Sequence, residues 1–163
     1  MKNKIMLCLS YFLLSIAIAL LPTLSYSQST NHLQSFDQFI GEWELDNSLQ
    51  VFEWGPGKTS VMAKSYQTGS DGSRTLVSEG MWFWHPGKQE IKGYVTATNI
   101  PVVFFDYTTT FENGGMASDL TAYDKNGIKS AYREVMEMQS DSTYKWILMQ
   151  QGKAVMEGVF MRE

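Results

Sequence analysis

The chain has 163 residues, enough for one domain with a sizeable core, and carries 17 acidic against 13 basic residues, a net charge of −4. That balance offers no basic stripe to neutralise phosphates, so no nucleic-acid partner is expected. One cysteine, Cys8, and two histidines, His32 and His85, supply no disulfide framework and too few converging imidazoles or thiolates for a metal site, and no cofactor is expected.

Lys2 and Lys4 precede an apolar run from Ile5 to Leu21, and Ser25-Tyr26-Ser27 places small residues at the −3 and −1 positions of a signal-peptidase site. Residues 1–27 are therefore expected to be a secretory signal peptide, cleaved before Gln28. The protein is then exported, periplasmic or secreted, with no stable membrane span after cleavage. An N-terminal anchor is the alternative, because about 17 apolar residues approach the lower limit for a span. Cys8 lies inside the apolar run rather than after it, so it leaves with the signal and the mature chain has no thiol. Cleavage also takes the basic count from 13 to 11 against 17 acids, a net charge of 11 − 17 = −6.

Residues 28–40 are expected to form an N-terminal segment with a short helix. Leu33, Phe36, Phe39 and Ile40 recur at helical spacing, with Thr30 or Asn31 as candidate caps and Gly41 as the stop. From Glu42 the period changes to two. Trp43 and Leu45 alternate with Glu42, Glu44 and Asp46, and the pattern runs on to Trp54 as strand, bent near Asn47-Ser48. Turn signals then punctuate strands at about 59–68, 74–84, 89–98, 102–112, 116–123, 128–138, 143–150 and 153–162. Nine or ten strands joined by short turns describe an antiparallel meander, and closure removes its two edges. The expected fold over 41–163 is an all-β, up-and-down barrel of about eight to ten strands; a two-sheet sandwich is the alternative, disfavoured because no connection is long.

Two turns share a pattern: Trp54-Gly55-Pro56-Gly57-Lys58 and Trp84-His85-Pro86-Gly87-Lys88. Proline pre-sets φ at the first central position and glycine allows positive φ at the second, so both read as type II turns on hairpins pointing the same way. No surrounding residues repeat, which favours shared turn chemistry over duplication or a shared site.

The run Phe39-Ile40-Gly41-Glu42-Trp43-Glu44-Leu45, a short helix leading into Gly-x-Trp on the first strand, resembles the opening of the calycins, which include lipocalins and fatty-acid-binding proteins. With Phe52-Glu53-Trp54-Gly55-Pro56-Gly57, Glu79-Gly80, Trp84-His85-Pro86, Tyr132-Arg133-Glu134-Val135 and Met156-Glu157-Gly158-Val159-Phe160, it is similar to small secreted bacterial lipocalin-like and nitrobindin-like proteins of unknown function. The similarity spans roughly 39–162. It implies a ligand-holding barrel in which Trp43 closes one end, without a defined chemistry. Nitrobindins hold haem through a late histidine; no histidine follows His85 here, so no haem ligand carries over.

Candidate chemistry follows from strand parity. If Tyr132, Met136 and Met138 point inward, so does Glu134, as a buried carboxyl that needs a partner or a proton. Glu79 poses the same question beside Val77, Met81 and Phe83. The aromatic residues Trp54, Trp82, Trp84, Phe104, Phe105, Tyr107, Phe111, Tyr132, Tyr144 and Trp146, with several methionines, either fill the core or line a pocket for an apolar ligand. Ile100 to Phe105, apolar on both faces, is buried twice over or part of a mouth. The expected function is binding of a small apolar or amphipathic ligand, with Glu79, Trp82, Trp84, His85, Tyr132, Glu134 and Trp146 as candidate site residues. One alternative is an isomerase or hydrolase in which Glu134 or Glu79 works with His85 or Tyr132. The other is a structural or interaction domain with a filled core.

Overall fold

The computed structural model describes residues 31–163; the expected signal peptide, and with it Cys8, lies outside the described residues. Ten antiparallel strands follow one another in β1 (Gly41–Leu45), β2 (Ser48–Trp54), β3 (Ser60–Thr68), β4 (Arg74–His85), β5 (Glu90–Ala97), β6 (Val102–Glu112), β7 (Gly115–Asp124), β8 (Lys129–Ser140), β9 (Thr143–Gln150) and β10 (Lys153–Arg162). Each pairs with its neighbours in sequence, and β10 returns to β1, closing the sheet into a barrel. The expected up-and-down topology is therefore the observed one. The seam is short, with Trp43 opposite Arg162 and Glu44 opposite Met161.

One boundary differs from the sequence expectation. The chain does not bend at Asn47-Ser48 within a single strand. It reverses through Asp46-Asn47, and Leu45 pairs with Ser48 across the turn. Asp46 takes the positive φ of 50° that such a tight reversal requires, a conformation its short polar side chain tolerates better than most.

The N-terminal helix is a 3-10 helix, Gln34–Gln38. Leu33, Phe36 and Phe39 recur every three residues, which is the 3-10 repeat and stacks all three on one face. All three are buried; the N-cap position is Leu33 rather than the expected Thr30 or Asn31, and the Asn31 side-chain oxygen accepts the Leu33 N–H at 3.1 Å in the turn that precedes the helix. This segment plugs one end of the barrel. Phe36 meets Phe111 edge-on at 4.9 Å, and Phe39 meets Tyr144 at 5.8 Å. Trp43, fully buried on β1, donates its indole N–H to the Phe39 carbonyl at 2.7 Å. Arg162 on β10 lies 4.1 Å over the Trp43 ring and donates to the carbonyls of Ile40 (2.7 Å), Gln38 (2.9 Å) and Asp141 (3.0 Å). The carbonyls that end the helix thus find their partner on the last strand.

Because the strands alternate in direction, the turns at 55–59, 86–89, 113–114 and 141–142 share this plugged end. Those at 46–47, 69–73, 98–101, 125–128 and 151–152 ring the opposite end. The two Trp-x-Pro-Gly-Lys turns do point the same way, and both grip the plug. Trp54 donates its indole N–H to Asp37 at 3.1 Å, Lys58 pairs with Asp37 at 3.4 Å, and Trp84 stacks on His32 with centroids 3.7 Å apart. Only the first turn uses its glycine as expected. Gly57 has φ 58°, whereas after Pro86 the positive φ falls on Gln89, whose N–H returns to the His85 carbonyl at 2.8 Å.

The outer face of β4–β7 carries a diagonal of rings, Phe83, Tyr94, Phe104 and Tyr123, with successive centroids 6.0, 5.8 and 5.9 Å apart. Lys92 is buried against it, its ammonium 2.6 Å from Asp106 Oδ1 and donating to Thr108 Oγ1 at 2.9 Å. Among the described residues no helix is long and apolar enough to cross a membrane.

Candidate functional site

The inward-facing rows are graded along the barrel axis. On β2 they run Ser48, Gln50, Phe52, Trp54 from the unplugged end to the plug; on β3, Gln67, Ser65, Ala63, Val61; on β4, Ser78, Gly80, Trp82, Trp84. Strand alternation places these rows on one face. Aromatic residues fill the plugged half. Small polar residues line the other, and they leave space.

That space has two adjoining parts. A mouth of about 440 Å³ at the unplugged end is lined by Ser48, Gln67, Val77, Ala97, Ile100 and Phe105, among others. Beneath it lies a chamber of about 60 Å³ whose lining includes Gln50, Ser65, Trp82, Met116, Glu134 and Met136. Ser78, Val95 and Tyr107 belong to both walls, so the chamber lies directly beneath the mouth. Ile100 and Phe105 are thus rim and wall of the mouth, one of the two placements expected for that segment.

Glu134 on β8 is the chamber's ionisable group. Its Oε1 accepts the indole N–H of Trp146 on the neighbouring strand β9 at 2.7 Å, and this is its one hydrogen bond among the described residues. The parity that also turns Met136 and Met138 inward holds it there. It is half-buried and forms part of the chamber wall. Burial pushes its carboxyl above the ordinary value of 4.5, and the Trp146 N–H, which favours the anion, opposes that only in part. Tyr107 and Tyr144 are raised in turn, first by their own burial and then by the Glu134 charge. Tyr144, wholly buried, donates its hydroxyl to Gln50 Oε1, which ties β9 to β2 across the interior.

Below the chamber the polar groups are internally satisfied. Trp82 donates its indole N–H to Thr109 Oγ1 at 3.0 Å, and Thr109 and Ser118 share a hydrogen bond of 2.8 Å, all three buried. Trp82 lies over Gly93, its partner on β5. A Cβ at Gly93 would come within 2.5 Å of the indole nitrogen, so only glycine leaves the ring its place.

The structure divides the seven expected site residues. Glu134 and Trp146 are brought together, Trp82 lines the chamber, and Tyr132 shares the inward face of Glu134 and packs on the core. Trp84 is inward but belongs to the plugged end, against His32. His85 lies on the outward parity of β4 with Phe83, and its Nδ1 accepts the Lys88 N–H at 3.3 Å. Glu79 is exposed on the outer face. Neither His85 nor Tyr132 hydrogen-bonds a carboxylate, so the expected acid–base pairs are not assembled. Among the described residues no group of three histidine, cysteine or acidic side chains could hold a metal ion. Gln50, Ser65 and Ser78 are chamber residues that sequence reasoning did not place at the site, although polar residues at inward positions of three consecutive strands are a readable signal.

No protein-family model, no curated protein and no solved structure matches the chain.

Proposed function

We propose that this protein is an exported, lipocalin-like barrel that takes up one small amphipathic molecule through its unplugged end. The observation that carries this reading is the asymmetry of the interior: aromatic packing and a clamped plug at one end, a mouth of mixed apolar and polar lining above a small chamber at the other. A barrel serving only as structure gains stability by filling both halves. Here the cavity walls mix apolar surface with a few placed polar groups, the usual make-up of a small-molecule site. Export is supported by the positive start, apolar run and Ser-Tyr-Ser site of residues 1–27. The Gly41-Glu42-Trp43 opening, with Trp43 seated under the plug, supports the lipocalin-like assignment.

Ala97, on the mouth wall, offers a test. Protein purified from its native compartment is denatured in organic solvent and the extract analysed by mass spectrometry, with an Ala97→Trp variant that fills the mouth treated in parallel. One small molecule per chain from the wild type, and none from the variant, is expected. No released molecule from either, together with failure to take up any added amphiphile, removes the reading.

A further inference from the structure

The mouth and chamber together contain one carboxyl, that of Glu134, and no lysine, arginine or histidine. The basic residues of the barrel lie elsewhere. Lys92 is committed to Asp106 on the outer face, Arg133 to Glu112 and Asp119, and Lys145 to Glu157, while Arg162 clamps the plug. Glu134 Oε1 is held by Trp146, and Oε2 has no hydrogen-bond partner among the described residues. We propose that the chamber selects amphiphiles with a small cationic amine head, which seats against Glu134 Oε2 while the apolar tail lies in the mouth, and that it rejects fatty-acid anions. The inference rests on the ligand-binding reading above and adds the chemistry of the ligand's head.

Three observations converge on that choice. The chamber of about 60 Å³ has room for roughly two waters, which suits a head of one or two heavy atoms and not a bulky phosphate ester. A carboxylate head would sit beside a second buried carboxyl with no cation to compensate, and like charges in a low-dielectric site repel strongly. The neutral donors that remain, the Gln50 amide and the Ser65, Ser78 and Tyr107 hydroxyls, can orient a head group but cannot cancel that repulsion. An ammonium instead supplies the charge-assisted hydrogen bond that Oε2 lacks. It also offsets the burial that raises the Glu134 carboxyl.

The test uses n-octylamine, n-octanol and n-octanoate, which share one tail and differ in the head, titrated into the full-length mature protein at neutral pH by calorimetry. The expected order is amine, alcohol, carboxylate, with the amine at least about tenfold tighter than the carboxylate. Glu134→Gln keeps an acceptor for Trp146 while removing the charge. It should bring the amine down to the affinity of the alcohol and improve octanoate. Octanoate binding as tightly as octylamine overturns the proposal, and so does an amine preference that survives in Glu134→Gln. If the variant does not fold, the order in the wild type decides alone. Failure to bind any of the three removes the binding reading along with the inference, whereas binding in the wrong order removes the inference only.

Discussion

Replacing Glu134 with glutamine should change the pH dependence of folding in a direction set by its surroundings. In the unfolded chain a glutamate titrates at its ordinary value near 4.5; in the barrel, burial raises the carboxyl despite the Trp146 N–H. Below the unfolded value both states are protonated, and the wild type carries no penalty relative to Glu134→Gln. As the pH rises through the window from about 4.5 to the folded value, the unfolded state releases a proton that the folded state retains. Wild-type stability then falls relative to the variant by up to about 1.4 kcal/mol per pH unit, and levels off once the folded carboxyl has also ionised. Glutamine keeps the hydrogen bond from Trp146, so the difference between the proteins isolates the charge. Urea denaturation followed by far-ultraviolet circular dichroism, at intervals from about pH 4 to about pH 8, measures it, because titrations elsewhere cancel in the difference. A flat difference, or a wild type that gains on the variant as the pH rises, would refute the placement of a desolvated carboxyl in the chamber.

Four further substitutions probe the scaffold around the site. Arg162→Met removes three hydrogen bonds to carbonyls and the cation over Trp43, and should cost about 3 kcal/mol in urea denaturation, with the plug more open to amide exchange. Gly93→Ala forces the Trp82 indole away from Thr109, with an expected cost of about 2 kcal/mol and a changed near-ultraviolet dichroism spectrum. Lys92→Met strands Asp106 without its cation and should cost about 3 kcal/mol, whereas Lys58→Ala, which breaks an exposed pair with Asp37, should stay within about 0.5 kcal/mol.

Strand positions were legible because most reversals carry glycine or proline, and period-two alternation ran cleanly between them. The reversal at Asp46-Asn47 lacks both glycine and proline, so the alternation of β1 and β2 read as one bent strand. The plug was readable as an amphipathic segment, and the spacing of Leu33, Phe36 and Phe39 already held the 3-10 repeat. Parity on β4 was harder. Both rows are apolar there, since Met81 and Phe83 support the outer aromatic diagonal while Trp82 and Trp84 fill the core, so local pattern could not orient Glu79. On β8 the outer row contains Lys129, Arg133 and Glu137, and that charge turns Glu134 inward. The partnership of Glu134 with Trp146, and the bond from Tyr144 to Gln50 across the barrel, depend on register and closure. Those are tertiary facts that a single strand's sequence does not encode.

Titration with the neutral fluorescent probe N-phenyl-1-naphthylamine tests most directly whether the unplugged end is a working cup. Uptake of one probe per chain, lost in Ala97→Trp while that variant keeps its thermal stability, is the result expected of an open mouth above a polar chamber. Absence of uptake by the wild type, or uptake that Ala97→Trp leaves unchanged, would contradict it.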